Sequence, residues 1–156
     1  MRILQVTPGF YPEVGGVQAH VQAIAEKLVA RGHEVHVAAM AHRGAGPARE
    51  SVNGVQVRRF IGIGPGESYR LPSGLVGYLL RAQRDFDIIH VHNYHAALIP
   101  VVAAVTRQAL VITPHLNDQP HSALARFLHR PYALIGRWGM RRAQAVICVS
   151  DAERER

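Results

Sequence analysis

The topology of this chain follows from residues 2–40, which read RILQVTPGFYPEVGGVQAHVQAIAEKLVARGHEVHVAAM. Arg2–Thr7 and Glu34–Met40 are short apolar runs of the kind that forms strands. Apolar residues recur between them at the spacing of a helix face, at Val17, Val21, Ile24 and Leu28. Gly32 follows as a helix stop. The stretch therefore predicts a strand, a helix and a second strand, a unit whose crossover is right-handed in about 98% of cases.

The same alternation continues beyond this unit. A third run, Val52–Ile61, carries Asn53-Gly54, a pair that favours a tight hairpin turn, and Ala41–Ser51 is predicted to be a loop. The other elements predicted from apolar runs are a helix after Pro72, the strand Phe86–His92, a helix within Ala96–Gln108, and the strands Leu110–Thr113 and Ala145–Ser150.

Several of these strands are almost continuously apolar instead of alternating, as parallel strands covered on both faces are. We therefore predict an α/β fold, a Rossmann-like doubly wound, mostly parallel sheet with helices on both faces. The 156 residues are 48% apolar and 19% charged, which suits one globular domain over residues 1–156.

Charge and cysteine content limit the expected partners and the expected cellular location. The formal charge is +7, and no acidic residue lies between Asp118 and Asp151, a stretch rich in arginine. This excess is typical either of an anion-binding surface or of a solvated helix face. The longest apolar stretch is too short to span a bilayer, there is no signal-peptide pattern, and Cys148 is the single cysteine, so the cytoplasm is the expected location.

Gly15 and Gly16 follow the first strand and open the first helix. Two glycines at a helix start let a ligand approach the backbone, where free N–H groups and the helix dipole favour an anion; the alternative is a loop that needs glycine for its conformation. The segment is neither a Walker loop nor a GxGxxG motif, and no G-x-S-x-G elbow occurs in the chain. A nicotinamide dehydrogenase and a serine hydrolase are therefore disfavoured.

Polar residues cluster after two later strands, where ligands of such sheets bind. His90 and His92 share one face of their strand, and His92 lies nearer its carboxyl end, so we interpret His90 as a hydrogen-bonded core residue and His92 as functional. A zinc site formed by His90, His92 and His95 is disfavoured, because no carboxylate or cysteine lies close by in sequence. Thr113 and His115 follow the next strand and share its ligand-side edge.

Four segments resemble, in the expected order, the N-terminal domain of retaining GT-B glycosyltransferases of family 4. They are RILQVTPGFYPEVGGVQAHVQAIAEKLVARGHEVHV, FDIIHVHNYHAAL, VITPH and AQAVICVSDAERE. In that family two Rossmann-like domains face each other across a cleft, the N-terminal one binding mostly the acceptor and the C-terminal one the nucleotide-sugar. The resemblance implies one half of a GT-B fold, with the C-terminal nucleotide-sugar-binding domain absent from this chain. The chain alone is then expected to be inactive.

The resemblance also implies roles for individual residues. Gly15 and Gly16 would bring backbone N–H groups to the donor diphosphate. His92 matches the second histidine of the family's H-x-H and would be the catalytic residue that contacts the transferred sugar. The residues that would line the acceptor pocket are Asn93, Tyr94, Thr113 and His115. The family transfers a sugar from a nucleotide-sugar to a sugar, lipid or small-molecule acceptor with retention, and it needs no metal or other cofactor.

A second function, peripheral membrane binding, is favoured by a basic and aromatic helix. On a helical wheel one side carries Arg126, Arg130, Arg137 and Arg141. The opposing side carries apolar residues that include Trp138, but Pro131 interrupts the helix, and the same stripe would suit a core-facing helix. Such contact would place the protein on the inner face of the membrane, with or without catalysis of its own. Nucleic-acid binding would rest on charge alone, with no motif, and we expect none.

Overall fold

The computed structural model describes residues 1–41, 47–63, 71–94, 97–116 and 134–155. The strands are β1 (Arg2–Thr7), β2 (Glu34–Ala41), β3 (Arg49–Val52), β4 (Val55–Ile63), β5 (Leu71–Pro72), β6 (Ile88–His92), β7 (Ala109–Thr113) and β8 (Ala145–Val146). The helices are α1 (Gly16–Ala30), α2 (Leu75–Ala82), α3 (Leu98–Val105), α4 (residues 134–141) and α5 (Asp151–Arg154), with a short 3-10 turn at Gln83–Asp85.

Seven strands form one sheet in the order β3-β4-β2-β1-β6-β7-β8. All neighbours are parallel except β3, which pairs antiparallel with β4, and β5 pairs antiparallel with the end of β4. From β1 the chain builds the sheet first toward β2 and β4, and then in the opposite direction through β6, β7 and β8. The strand order therefore reverses between β1 and β6. This is the predicted doubly wound α/β fold.

Helices cover both faces of the sheet. On one face α1 packs over an apolar cluster from β2 and β4, anchored by Val21, Ala25 and Phe10. On the other face α2 and α3 pack over a larger cluster that includes Leu4, Ile89 and Ile112. The strands β2 and β4 thus contribute alternate side chains to both clusters, which explains why these two strands read as largely apolar runs.

Most predicted elements are present, but β5 was not predicted and several elements differ at their ends. The predicted loop Ala41–Ser51 is wrong at both ends, because Ala41 is the last residue of β2 and Arg49–Val52 forms β3, which pairs with β4 through a hairpin. The turn residues of this hairpin, Asn53 and Gly54, both have positive φ. Residues 42–46 of that stretch lie outside the described part. The last strand is shorter than predicted, since β8 ends at Val146 and Cys148 lies beyond it, only half-buried.

Candidate functional site

The switch point between β1 and β6 brings the predicted site residues into one region. The carboxyl end of β1 leads through a loop to Gly15 and Gly16, the carboxyl end of β6 is His92, and β7 ends at Thr113. In open α/β sheets a ligand crevice forms at this place, because the connections on either side of the switch point diverge.

Gly15 caps α1 and Gly16 is its first residue, as the sequence predicted. The N–H groups of the first helical turn have no partner within the helix, so they are available to a ligand. A Cβ built at Gly16 would meet no atom within 4 Å, so the space beside Gly16 is open, whereas a Cβ at Gly15 would meet the side-chain amide of Gln18. No acidic residue lies in this first turn to satisfy the positive end of the helix dipole.

The loop between β1 and α1 is held by bonds from both ends. The Thr7 hydroxyl donates to the Gly9 carbonyl at 3.0 Å, and the Phe10 ring is buried in the core beneath α1. From β4, the Arg59 guanidinium donates to the Tyr11 carbonyl at 2.5 Å and pairs with Glu50. These contacts fix the path of the backbone that delivers Gly15 to the crevice.

At the centre of the sheet, the face that α1 covers is polar, whereas the opposite face is apolar. The buried polar side chains on this face are Gln5, Thr7, His90, His92 and Thr113. Their neighbours at alternate positions, such as Val6 and Val91, point into the core under α2 and α3. A buried polar layer costs stability unless its groups are paired or bind something.

His90 and His92 differ in their contacts. The Nε2 atom of His90 lies 2.8 Å from the Thr113 hydroxyl, so His90 is the hydrogen-bonded core histidine that the sequence predicted. The Nδ1 atom of His92 lies 3.4 Å from Nε2 of His115, and Nε2 of His92 has no hydrogen-bond partner among the described residues. His92 is fully buried, so solvent does not supply a partner for its Nε2 atom either.

His20 of α1 completes this group, although the sequence analysis did not select it. Its ring lies edge-on to His115 at 4.9 Å between centroids and to His92 at 6.1 Å, and its Nε2 also lacks a partner. The signal was present in the sequence, because His20 lies three residues after Val17 and four before Ile24 on the apolar face of α1. Gln5, a polar residue inside an apolar strand, was a similar signal, and both its amide atoms are unpaired.

Burial keeps the rings of His90, His92 and His115 neutral. It lowers the pKa of His90 to about 4, with the neighbouring His20 and His115 acting in the same direction. Burial lowers the pKa of His92 well below its ordinary value, with further lowering by His90, His115 and His20. The pKa of His115 is lowered mainly by burial and also by His20, while Glu153 opposes the shift. At neutral pH each ring therefore offers one unprotonated nitrogen.

The remaining predicted acceptor residues are placed differently. Asn93 and His115 both adopt left-handed backbone, with φ of 72° and 50°, at the turns that leave β6 and β7. The Asn93 N–H donates to the Thr113 carbonyl at 3.0 Å and the Tyr94 N–H donates to the Pro114 carbonyl at 2.6 Å, so the two turns are tied together. The Tyr94 ring is buried in the core, and Thr113 is occupied by His90.

A buried carboxylate from α5 positions the His115 turn. Glu153 accepts the N–H of Leu116 and the N–H of Val149, each at 2.6 Å, and thereby ties the end of β7 to the segment after β8. The Ser150 hydroxyl caps α5 by accepting the Glu153 N–H at 3.2 Å. Glu153 was not selected from the sequence, because the partners of its carboxylate come from distant segments.

A separate cavity of about 810 Å³ lies at the amino ends of β6 and β7. Its lining includes Arg81, Arg84, Arg107 and Arg142. Because ligands of open α/β sheets bind at the carboxyl ends of the strands, this cavity is not the candidate site.

The fold and the switch-point crevice define a Rossmann-like domain. Comparison with known proteins gives the family: residues 14–156 match Glycosyltransferase Family 4, and the chain belongs to that family. The predicted resemblance is therefore confirmed. Together with the solved structures below, it assigns the fold to the N-terminal half of a GT-B glycosyltransferase.

Individual relatives and solved structures are also similar to this chain. The chain is 30% identical to the phosphatidyl-myo-inositol mannosyltransferase of Mycolicibacterium smegmatis, covering 99% of this chain and 39% of that protein. Among solved structures it superposes on the sucrose-phosphate synthase of Thermosynechococcus elongatus with a TM-score of 0.65 at 16% identity, covering 99% of this chain and 44% of the other. The catalytic domain of starch synthase IV of Arabidopsis thaliana gives a TM-score of 0.50 at 17% identity, over 72% and 33%. The chain thus spans less than half the length of these relatives.

Proposed function

We propose that the chain is the acceptor-side domain of a retaining glycosyltransferase that moves a sugar from a nucleotide-sugar to an acceptor. The observation that carries the proposal is the convergence of an open helix N-terminus at Gly16 and a neutral histidine cluster around His92 on one switch point. The first suits a diphosphate and the second suits sugar hydroxyls. A second, nucleotide-binding domain would form the other wall of the crevice.

In this proposal the helix N-terminus stabilises the charge that develops on the leaving diphosphate, so no metal ion is needed for the transfer. His92 contacts the transferred sugar through Nε2, the nitrogen that has no partner in the structure. Since His20 and His115 enclose the His92 ring, a sugar reaches it by displacing one of them. His115, half-buried on the turn after β7, is the ring that the sugar displaces. Asn93 and the His115 turn form the acceptor side.

The test uses the parent protein in full length. Transfer is assayed with UDP-, GDP- and ADP-sugars in excess EDTA against a panel of sugar, inositol and lipid acceptors, and the anomeric configuration of the product is read by NMR. We expect EDTA-resistant transfer with one donor base and retained configuration. Inversion, or activity that requires an added metal, would refute the mechanism.

A second function, contact with an anionic membrane, is favoured by α4. Leu134, Ile135 and Trp138 are exposed on this helix, at 69%, 52% and 45%, so they do not face the core. Arg137 and Arg141 are exposed on the same helix, whereas Arg126 and Arg130 lie outside the described residues. Exposed apolar and cationic side chains on one helix suit an interfacial position. In the part of the chain that the structure covers, no helix is long and apolar enough to cross a bilayer.

Vesicle co-sedimentation tests this contact. We expect the chain to bind vesicles containing anionic lipid and to lose most of that binding in the double variant Arg137→Gln/Arg141→Gln. The control, Arg31→Gln/Arg49→Gln, removes the same charge from exposed positions elsewhere and should bind as the parent does. Equal loss in both variants would show that binding follows net charge and not α4.

A further inference from the structure

The crevice contains three imidazoles that face one another. One ring nitrogen each from His20, His92 and His115 lies within 4.8 Å of the other two. They come from three separate elements: α1, the end of β6 and the turn after β7. Their approach is therefore a property of the tertiary fold and not of a local sequence motif.

The geometry is close to that of a metal site. Two nitrogens bound tetrahedrally to zinc at about 2.0–2.1 Å are about 3.3 Å apart. The separation between Nδ1 of His92 and Nε2 of His115 is 3.4 Å, close to that value. His20 is only partly buried, so a change of side-chain torsion can bring its nitrogen nearer.

A second observation points to a missing ligand. Nε2 of His20 is buried and has no hydrogen-bond partner among the described residues. A buried ring nitrogen normally has a partner, and one without a partner indicates a water or an ion that the described residues do not supply. The ligand set weighed from the sequence, His90, His92 and His95, is disfavoured because the Nε2 of His90 lies against Thr113. His95 lies outside the described residues.

We propose that His20, His92 and His115 form a three-histidine site for a divalent transition-metal ion of the zinc class, with the fourth position open. Imidazole nitrogens select such ions over magnesium or calcium. If the proposed function holds, the ion is an inhibitor and not a cofactor, because it holds His115 against His92 and blocks the displacement that would admit the sugar to the His92 ring.

The test begins with binding alone. The purified, metal-free chain is titrated with Co²⁺ and Zn²⁺, and the visible absorption of Co²⁺ reports a four- or five-coordinate site. We expect one saturable site, with Zn²⁺ affinity lowered at least tenfold in His20→Ala and in His115→Ala. Both positions are partly buried, and circular dichroism with thermal melting confirms that each variant folds. The control His33→Ala removes a histidine at the opposite end of α1 and should leave affinity unchanged.

Loss of the Co²⁺ spectrum in His33→Ala, unchanged affinity in His20→Ala and His115→Ala, or no saturable binding would overturn the proposal. Inhibition is measured separately on the full-length enzyme. Zn²⁺ should inhibit transfer by the parent at concentrations that leave His20→Ala more than half active. Binding without inhibition would retain the metal site and refute only its link to the proposed function.

Discussion

His90 and His92 occupy alternate positions on one strand and face the same helix, but only one has a free nitrogen. His90 is paired with Thr113, whereas His92 holds an unpaired Nε2 at the carboxyl end of β6. A paired histidine serves the core, and an unpaired one at a strand end is available to a ligand. The two residues therefore provide a matched comparison.

In the full-length enzyme, His92→Ala should lower kcat/KM by on the order of 10²-fold or more, because a polar contact to the sugar is lost in the transition state. His90→Ala should instead lower the free energy of unfolding by about 1–3 kcal/mol, because the buried Thr113 hydroxyl loses its partner. Steady-state kinetics and urea unfolding of both variants check this. The reverse pattern would exchange the two roles.

His92, Gly15 and Gly16 could be selected from the sequence, because each follows a strand whose end is predictable. His20 and Gln5 were not selected, since their place in the site depends on which helix covers which face of the sheet. The face that each helix covers is determined by packing between residues far apart in the chain, such as His20 against His115. The periodicity within one element does not predict this long-range packing.

At the scale of single elements, α1 joins the site to the core, and its first turn is the proposed anion site. Gly16→Val places a branched side chain in the open space before the helix, where no protein atom lies within 4 Å. The fold should survive, while the side chain blocks a diphosphate. We expect donor affinity in the full-length enzyme to fall at least tenfold, measured by calorimetric titration.

Ala30→Val is the control, because it also creates a valine on α1, at the exposed opposite end of the helix. It should leave donor affinity as in the parent. Unchanged affinity in Gly16→Val would mean that the diphosphate binds elsewhere.

Helix α5 is short, but its Glu153 accepts hydrogen bonds from two other segments. Glu153→Gln keeps the size of the side chain but turns one acceptor into a donor that faces a backbone N–H. The variant should lose about 1–3 kcal/mol of unfolding free energy. Urea unfolding of the chain measures this, and the exposed Glu155→Gln is the control, with no loss expected. Equal stability of the two variants would contradict the bridging role.

Element types were predictable almost throughout, while strand ends were less so. β3 was missed because Arg49–Val52 is polar and short, and it becomes a strand only through pairing with β4. β8 was predicted too long, because Ala145–Ser150 is apolar even though β7 pairs with only its first residues. Apolar composition predicts burial, and here Ile147 and Val149 are exposed.

At the scale of the whole molecule, one sheet with two packed faces forms a complete core. The 156-residue chain should therefore fold and melt cooperatively, yet transfer no sugar. Positioning two substrates is worth about 7–11 kcal/mol in favourable cases, and one wall of a crevice does not supply that. Calorimetry and an assay with UDP-, GDP- and ADP-sugars test both parts. Measurable transfer by this chain would refute the two-domain proposal.

The two edges of the sheet differ in charge, and this difference affects self-association of the protein in solution. β3 carries Arg49 and Glu50, whereas the β8 border presents Val146, Ile147 and Val149, each 43–50% exposed. An apolar border strand recruits other chains. Purified at high concentration, this chain should self-associate, and light scattering should show Ile147→Lys/Val149→Lys to be the more soluble variant. Leu80→Lys, which adds charge at an exposed helix position, should change solubility less; an equal gain would attribute association to low net repulsion and not to β8.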